Sequence, residues 1–446
     1  MTPESGTSAA APVRGAPGAY RILAVLALAN LMNYYDRTVP SSVIEPIKAE
    51  FALTDTQIGL LTSSFTVVYA LAGIVVGRMA DTHSRRRIMA AGMVAWSLFT
   101  AASGGAWSFA SLLLFRLGVG IGEASYLPAA SAMIFDAFPA RRRARAIGIF
   151  QLGVPAGLLA AFLSVGAIAE ATGSWRVPFL VAAVPGFVLA ALILFLPEPP
   201  RGASEERAPA GAGARSRQPI RDILRIRTLR RLILASIALQ IPAYAVAAFL
   251  VPLLQRYFGL TIGTASMSAG VILGLTGIAG LLLGGVVADL AGRRSLRARM
   301  MVGPASLALG APFILAALLL GPTAAGAFVA LFAVGWSFQF FFGAVALPAV
   351  ADVVEPGLRA TAVAVYFAVI YLLGGAVGPS VVGLLSDWFA ATATATAAVS
   401  AEAAGLRQAL LVIVPAFLIL SSLAAWAASR TVLADHERMI ARQSTA

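Results

Sequence analysis

Residues 270–294 read GVILGLTGIAGLLLGGVVADLAGRR. Between Gly270 and Ala288 no residue is charged, and apolar side chains follow one another without alternation. A membrane strand would show about ten residues of in/out alternation. An unbroken apolar run of about 20 residues is instead what an α-helix needs to cross ~30 Å of hydrocarbon. The run ends on Asp289, Gly292, Arg293 and Arg294, a charged turn that belongs in water. The stretch therefore predicts a transmembrane helix and its exit.

Comparable stretches recur on both sides of it, at 20–47, 56–80, 87–106, 108–138, 144–168, 176–196, 229–256, 264–289, 298–320, 323–351, 360–389 and 406–430, twelve in all. Composition agrees: 59% of the 446 residues are hydrophobic and only 12% charged, where a soluble chain carries about 25%. This excludes a soluble enzyme, a disordered chain and a nucleic-acid binder, because the net charge of +13 has too little solvated surface to form a basic patch. The chain has no cysteine and two histidines far apart, His83 and His436. Disulfides, thiolate metal sites and histidine clusters are thereby excluded, and neither a cofactor nor catalysis is expected.

Arginines orient the helices, since short cytoplasmic loops collect Lys and Arg. Arg85, Arg86 and Arg87 follow the second stretch, Arg141, Arg142, Arg143 and Arg145 the fourth, and Arg293, Arg294, Arg297 and Arg299 the eighth. The alternate loops hold few. Both termini are thus expected in the cytoplasm, together with a linker at 197–228 whose Ala, Gly, Ser and Arg content suits a flexible connection. The expected organisation is a disordered tail at 1–19, a six-helix bundle at 20–196, the linker, a second bundle at 229–430 and a tail at 431–446.

The two bundles read as copies. Gly77-Arg-Met-Ala-Asp81-Thr-His-Ser84-Arg85-Arg86 and Gly285-Val-Val-Ala-Asp289-Leu-Ala-Gly292-Arg293-Arg294 share the pattern GxxxDxx(G/S)RR at matching places. A second echo places Asp136 and Asp352 before the Arg-Ala-x-Ala entries at Arg143 and Arg359. Internal repeats of this kind mark secondary transporters, whose substrate site lies between the halves near the midplane. Gly77, Asp81, Arg85, Arg86, Asp289, Arg293 and Arg294 are accordingly expected to latch the cytoplasmic side. Gly153, Pro155 and Gly157, with Gly374, Gly375, Gly378, Pro379 and Gly383, mark helices that bend or pack closely where the halves rock.

Charge inside hydrocarbon costs ~2.5–3.5 kcal/mol per residue on insertion scales, so it needs a reason. Four such residues stand out, all in the first half: Asp36, Arg37, Arg116 and Glu123. Arg116 and Glu123 are seven residues apart, on one helix face and ~10.5 Å apart along the axis. Gly118, Gly120 and Gly122 between them permit the first helix to come close. The expected roles are proton exchange at Asp36 and Glu123, Arg116 holding whichever is ionised, and Arg37 facing an anionic group on the substrate. The second half offers Gln240, Tyr244, Trp336, Gln339, Tyr366 and Tyr371 at comparable depth. Of Phe338, Phe340, Phe341 and Phe342, at most two can face a cavity, since a helix spreads consecutive residues around its axis.

The paired GxxxDxx(G/S)RR turns, twelve helices and central linker resemble the major facilitator superfamily, with Ser84 standing where that pattern has a second glycine. Asn33-Tyr34-Tyr35-Asp36-Arg37, Arg116-Leu-Gly-Val-Gly-Ile-Gly122-Glu123-Ala124-Ser125-Tyr126, Ile149-Phe150 leading to Pro155-x-Gly157, and Glu198-Pro-Pro-Arg201-Gly202 are more specific. In order, they resemble the Spinster family. The resemblance implies two pseudo-symmetric six-helix bundles and movement of amphiphilic lipids such as lysophospholipids, sphingosine or sphingosine 1-phosphate. It also implies proton coupling in the bacterial members; the expected substrate contacts are Arg37, Tyr34, Arg116 and Glu123. The expectation is a monomeric, proton-coupled, alternating-access lipid transporter of the plasma membrane, with lipids and protons as its partners. A multidrug or small organic anion exporter of the same fold is the nearer alternative; an uncoupled scramblase or a receptor is the more distant one.

Overall fold

The computed structural model describes residues 17–200, 219–355, 358–396 and 398–444. The first half comprises α1 (Ala19–Ser42), α2 (Ile44–Phe51), α3 (Asp55–Thr82), α4 (Arg85–Gly104), α5 (Phe109–Glu123), α6 (Tyr126–Ala137), α7 (Ala140–Gln151), α8 (Gly153–Thr172) and α9 (Val177–Leu194). After α10 (Pro219–Arg225), the second half runs through α11 (Arg227–Arg256), α12 (Ile262–Ala269), a π-helical segment (Gly270–Leu275), α13 (Thr276–Gly292) and α14 (Leu296–Leu319). It continues with α15 (Ala325–Val353), α16 (Arg359–Ile370), a second π segment (Tyr371–Gly375), α17 (Val377–Thr392), α18 (Ala401–Ser429) and α19 (Val432–Ser444). Joined end to end, α5–α6, α7–α8, α12–α13 and α16–α17 each make one span, which recovers the twelve expected stretches.

Ten of these spans are long and apolar enough to cross a membrane. The other two places are filled by α1, which carries Arg21, Asp36 and Arg37, and by α4, which opens on Arg85, Arg86 and Arg87. The span expected at 20–47 is broken: Pro40 lies in the last turn of α1, and Val43 leaves helical geometry before α2 begins. Two expected loops also prove helical in part. The linker ends in α10, which packs on α11 and α16, and the expected C-terminal tail contains α19. Asp435 of α19 accepts from the Thr228 backbone N–H and hydroxyl, both at 2.8 Å, and so fastens α19 to the first turn of α11. The expected tail at 1–19 and much of the linker lie outside the described residues.

Small residues set the helix spacing, as they do wherever lipid removes the hydrophobic drive between helices. A Cβ on Gly157 would fall 2.3 Å from the Leu31 carbonyl oxygen, and one on Gly378 2.1 Å from that of Ile241. The α1–α8 and α11–α17 contacts are therefore equivalent close packings in the two halves. The glycines of α5 serve different neighbours from the one expected. Gly118 and Gly122 receive Phe99 and the Trp96 backbone of α4, and Gly120 receives Phe65 of α3, so α4 and α3 take the approach that was expected of α1.

The halves meet along α3 with α17 and α8 with α12. A Cβ on Gly59 would lie 2.3 Å from the Pro379 carbonyl oxygen, and one on Gly383 2.2 Å from that of Asp55. These approaches cluster at the end opposite the arginine-rich turns and reach inward as far as Gly375 beside Thr66 and Gly277 beside Pro155. Beyond that depth Leu71, Val75 and Met79 of α3 are exposed, and a Cβ on Gly148 or Gly285 would meet open space. The halves close at one end and part at the arginine-rich end.

Candidate functional site

A cavity of about 330 Å³ lies between the halves. The first half lines it with Tyr34, Arg37, Thr62, Phe65 and Phe162, and the second with Gln240, Tyr244, Trp336, Gln339 and Phe340. Arg37 is the only charged residue among the described ones on its wall. Its guanidinium stands over the rings of Tyr69 at 4.1 Å, Tyr34 at 5.1 Å and Phe65 at 5.4 Å, an aromatic cage that favours a cation. Of the four consecutive-run phenylalanines only Phe340 reaches the cavity. Phe342 packs on Gly303, and Phe338 and Phe341 on each other and on Phe313 and Gly284. Tyr366 is hydrogen-bonded to Ser236 at 2.6 Å and stands apart from the wall.

Arg37 does not face the cavity free. Its Nε donates to Glu123 Oε2 at 2.6 Å, and Glu123 is wholly buried at the C-terminal end of α5. The carboxylate's partner is thus Arg37, whereas the sequence pointed to Arg116. The geometry of α1 explains this. Arg37 and Asp36 lie ~100° apart on the helix, so one reaches the cavity rim while the other turns into the first half. Asp36 is buried beside Trp96 of α4, and neither carboxylate oxygen has a hydrogen-bond partner of good geometry among the described residues. Arg116 stands over Phe65 at 5.2 Å and borders, with Arg37, a smaller void of about 40 Å³ on the closed side. Arg116 Nη1, Glu123 Oε1, Arg37 Nη2, Asn33 Nδ2 and Trp96 Nε1 also lack hydrogen-bond partners of good geometry among the described residues. Two carboxylates and two guanidiniums therefore share one buried region with a single hydrogen-bonded ion pair among them.

The closed end carries a network that sequence reasoning missed. Arg256 of α11 donates to both Asp55 oxygens at 2.8 and 2.7 Å and to both Glu45 oxygens, with Nη2 at 2.6 Å. Lys48 joins Asp55 at 3.0 Å to Glu402 at 2.7 Å. Asp387 of α17 accepts from the Asp55 and Thr56 backbone N–H groups at 3.0 and 2.8 Å, the first donors of α3. Glu170 of α8 likewise accepts from the Gly263 N–H at 2.9 Å in the first turn of α12. Each half thus caps a helix N-terminus of the other, where free N–H groups and the helix dipole favour a carboxylate. The available signal was the set Glu45, Lys48, Asp55 and Arg256 at predicted helix ends, four charges at one depth. On the same face Glu50 holds Arg176 at 2.5 Å and the Trp175 indole at 2.7 Å. These bonds, Arg176 first, pull its pKa down to about 2.

At the arginine-rich end the repeated turns pair within their own halves. Arg85 binds Asp136 at 2.6 Å, and Glu198 accepts from Ser84 Oγ at 2.5 Å and the Arg85 N–H at 2.8 Å. Arg86 reaches the carbonyls of Leu194 and Leu196. In the second half Asp352 takes Arg299, while Asp289, Arg293 and Arg294 are exposed. Gly77 lies beside Pro128 of its own half, and the Asp81 side chain lies outside the described residues.

The Major Facilitator Superfamily matches residues 26–379. An MFS-type efflux pump of Mycolicibacterium smegmatis is 32% identical over 421 residues, 92% of each chain. A sphingosine-1-phosphate transporter of Danio rerio is 29% identical over 386 residues, 81% of this chain and 75% of that one. Among solved structures, a bacterial homologue of the human lysosomal transporter Spinster, inward-facing and unoccupied, superposes with a TM-score of 0.83 at 29% identity, covering 95% of this chain and 99% of that one.

Proposed function

The chain belongs to the major facilitator superfamily of membrane transporters, which are not enzymes, and on that premise we propose that it moves phosphate-bearing amphiphilic lipids by proton-coupled alternating access. The observation that carries the reading is the Arg37–Glu123 pair at the wall of a cavity otherwise uncharged among the described residues. An anionic head entering the cavity has one cation to bind, and that cation already holds a carboxylate. If the head takes Arg37, Glu123 stays buried without its ion-pair partner, and a buried carboxylate in that position is stable only when neutral. Binding of the anion and uptake of a proton then become one event. An amine head group reverses the sign, because it pairs with Glu123 and competes with the proton. Trp336, Phe340, Leu239 and Leu273 offer the apolar surface an acyl chain needs.

In this reading the arginine-rich end and both termini lie in the cytoplasm and the membrane is the plasma membrane, so the described state is open inward. Asp36, away from the cavity, titrates as the second proton site and acts on Glu123 through Arg116. Gly77, Asp81, Arg85, Arg86, Asp289, Arg293 and Arg294 latch the cytoplasmic side only in the opposite state, when the two turns approach. Likeness to the sphingosine-1-phosphate transporter supports a lipid cargo. Likeness to the efflux pump supports a second reading, export of small amphiphilic drugs or organic anions through the same cavity. Binding of a lysophospholipid with a phosphate monoester head, against Arg37→Ala and Arg116→Ala, tests the proposal. Arg37→Ala should weaken binding about tenfold or more, as loss of a charge-assisted hydrogen bond does. Unchanged affinity in Arg37→Ala would overturn the anchoring role.

A further inference from the structure

A second cavity, of about 260 Å³, opens at the arginine-rich end between the start of α1 and α7. Leu23, Phe138 and Ile149 form its apolar wall, and Tyr20, whose ring packs edge-on against Phe138 at 5.4 Å, stands at its mouth. Two guanidiniums, Arg142 and Arg145, complete the lining. Three arginines at this end are engaged: Arg85 holds Asp136, Arg143 donates to the Phe138 carbonyl and stands over Phe135, and Arg299 holds Asp352. Arg142 and Arg145 bind no side chain or carbonyl among the described residues through their guanidiniums. Two unneutralised cations three residues apart on one helix turn, over an apolar floor, form an anion site.

We propose that this cavity binds the phosphate of a glycerophospholipid or of a free phosphate ester, as a site separate from the central cavity. Tyr20 precedes Arg37 by seventeen residues of the same helix, which places this cavity ~25 Å from Arg37 along the axis of α1. Half a bilayer is about 20–22 Å with its head groups, so a cavity that far from a mid-membrane Arg37 lies at the head-group surface. The aromatic mouth fits the same layer, where Tyr and Trp collect, and basic pockets beside membrane helices take anionic head groups there. Ile149 and Leu152, three residues apart and both exposed, offer apolar surface beside the cavity for the first methylenes of an acyl chain.

The test is lipid retention by the full-length protein in detergent, titrated with phosphatidylglycerol or phosphatidylcholine and read by native mass spectrometry. Wild type should hold phosphatidylglycerol about tenfold more tightly than Arg142→Gln/Arg145→Gln. Ile149→Trp, which fills the cavity and keeps both charges, should lose the preference as well. Arg87→Gln/Arg297→Gln removes the same charge from exposed positions and should retain it. Glycerol 3-phosphate added to the wild type separates the sources: displacement of the lipid identifies a phosphate-ester site, and no displacement a lipid site. Equal affinity in wild type and Arg142→Gln/Arg145→Gln, or equal loss in both double variants, would overturn the proposal.

Discussion

Arg37 and Glu123 close an ion pair of 2.6 Å between α1 and α5, and Arg37 alone of the two reaches the cavity wall. The guanidinium therefore stands between a buried carboxylate and anything anionic that enters. Competition for one cation is the simplest physical link between cargo and proton. It requires no motion larger than a side-chain rearrangement.

Glu123→Gln removes the competitor and keeps the shape. Arg37 is then free, and a phosphate-monoester lysolipid should bind about tenfold more tightly at neutral pH, with a remaining pH dependence that follows only the phosphate's own second ionisation near pH 6. Titration calorimetry across pH checks this. An affinity equal to wild type would mean that the two anions do not share Arg37.

The closed end should open when its central cation is removed. Arg256→Gln leaves Glu45 and Asp55 facing one another with Lys48 as their remaining cation. At about 2 kcal/mol for a charge-assisted network of this kind, the equilibrium should shift roughly thirtyfold toward the opposite state. The chain has no cysteine, so Ala52→Cys and Ala391→Cys report the distance by spin labelling without further change. The distance should lengthen in Arg256→Gln.

Steric separation should act as removal of charge does. A Cβ in Gly383→Ala meets the Asp55 carbonyl oxygen at 2.2 Å across the halves, whereas in Gly285→Ala it meets nothing. The same label pair should move apart in Gly383→Ala and stay in place in Gly285→Ala.

Much of this architecture was legible in the sequence. The apolar runs and arginine-rich turns located every span, because hydrocarbon thickness and charge placement act on each helix separately. Asp36, Arg37, Arg116 and Glu123 were legible for the same reason: charge inside an apolar run has no other explanation. Their pairing was not. Which carboxylate Arg37 meets depends on the rotation of α1 against α5, and that rotation is set by Gly153 and Gly157 seating α8 on α1 and by Gly118 and Gly122 seating α4 on α5. The cross-half caps at Asp387 and Glu170 were hidden for a further reason. They exist only between halves, and a repeat read along the chain shows the copies without their contact.

Acid should loosen the closed end in a defined window. Arg176 and Trp175 hold Glu50 ionised down to about pH 2, whereas the unfolded carboxylate titrates near 4.5. The pair therefore contributes fully above pH 4.5, and its contribution is lost as pH falls from there through 2. Both side chains are more than a third exposed, so solvent screening limits the contribution to below ~1 kcal/mol. Glu50→Gln should melt slightly below wild type at pH 7, and the difference should shrink as acid approaches the lower limit. A difference that grows in acid would contradict the assignment.

Flux through proteoliposomes tests the central claim most directly. A labelled lysophospholipid with a phosphate-monoester head is followed with and without an imposed pH gradient, in wild type and in Glu123→Gln. The gradient should accelerate wild type and leave Glu123→Gln at its ungradiented rate. Wild-type flux indifferent to the gradient, or equal acceleration in Glu123→Gln, would contradict coupling through the Arg37–Glu123 pair.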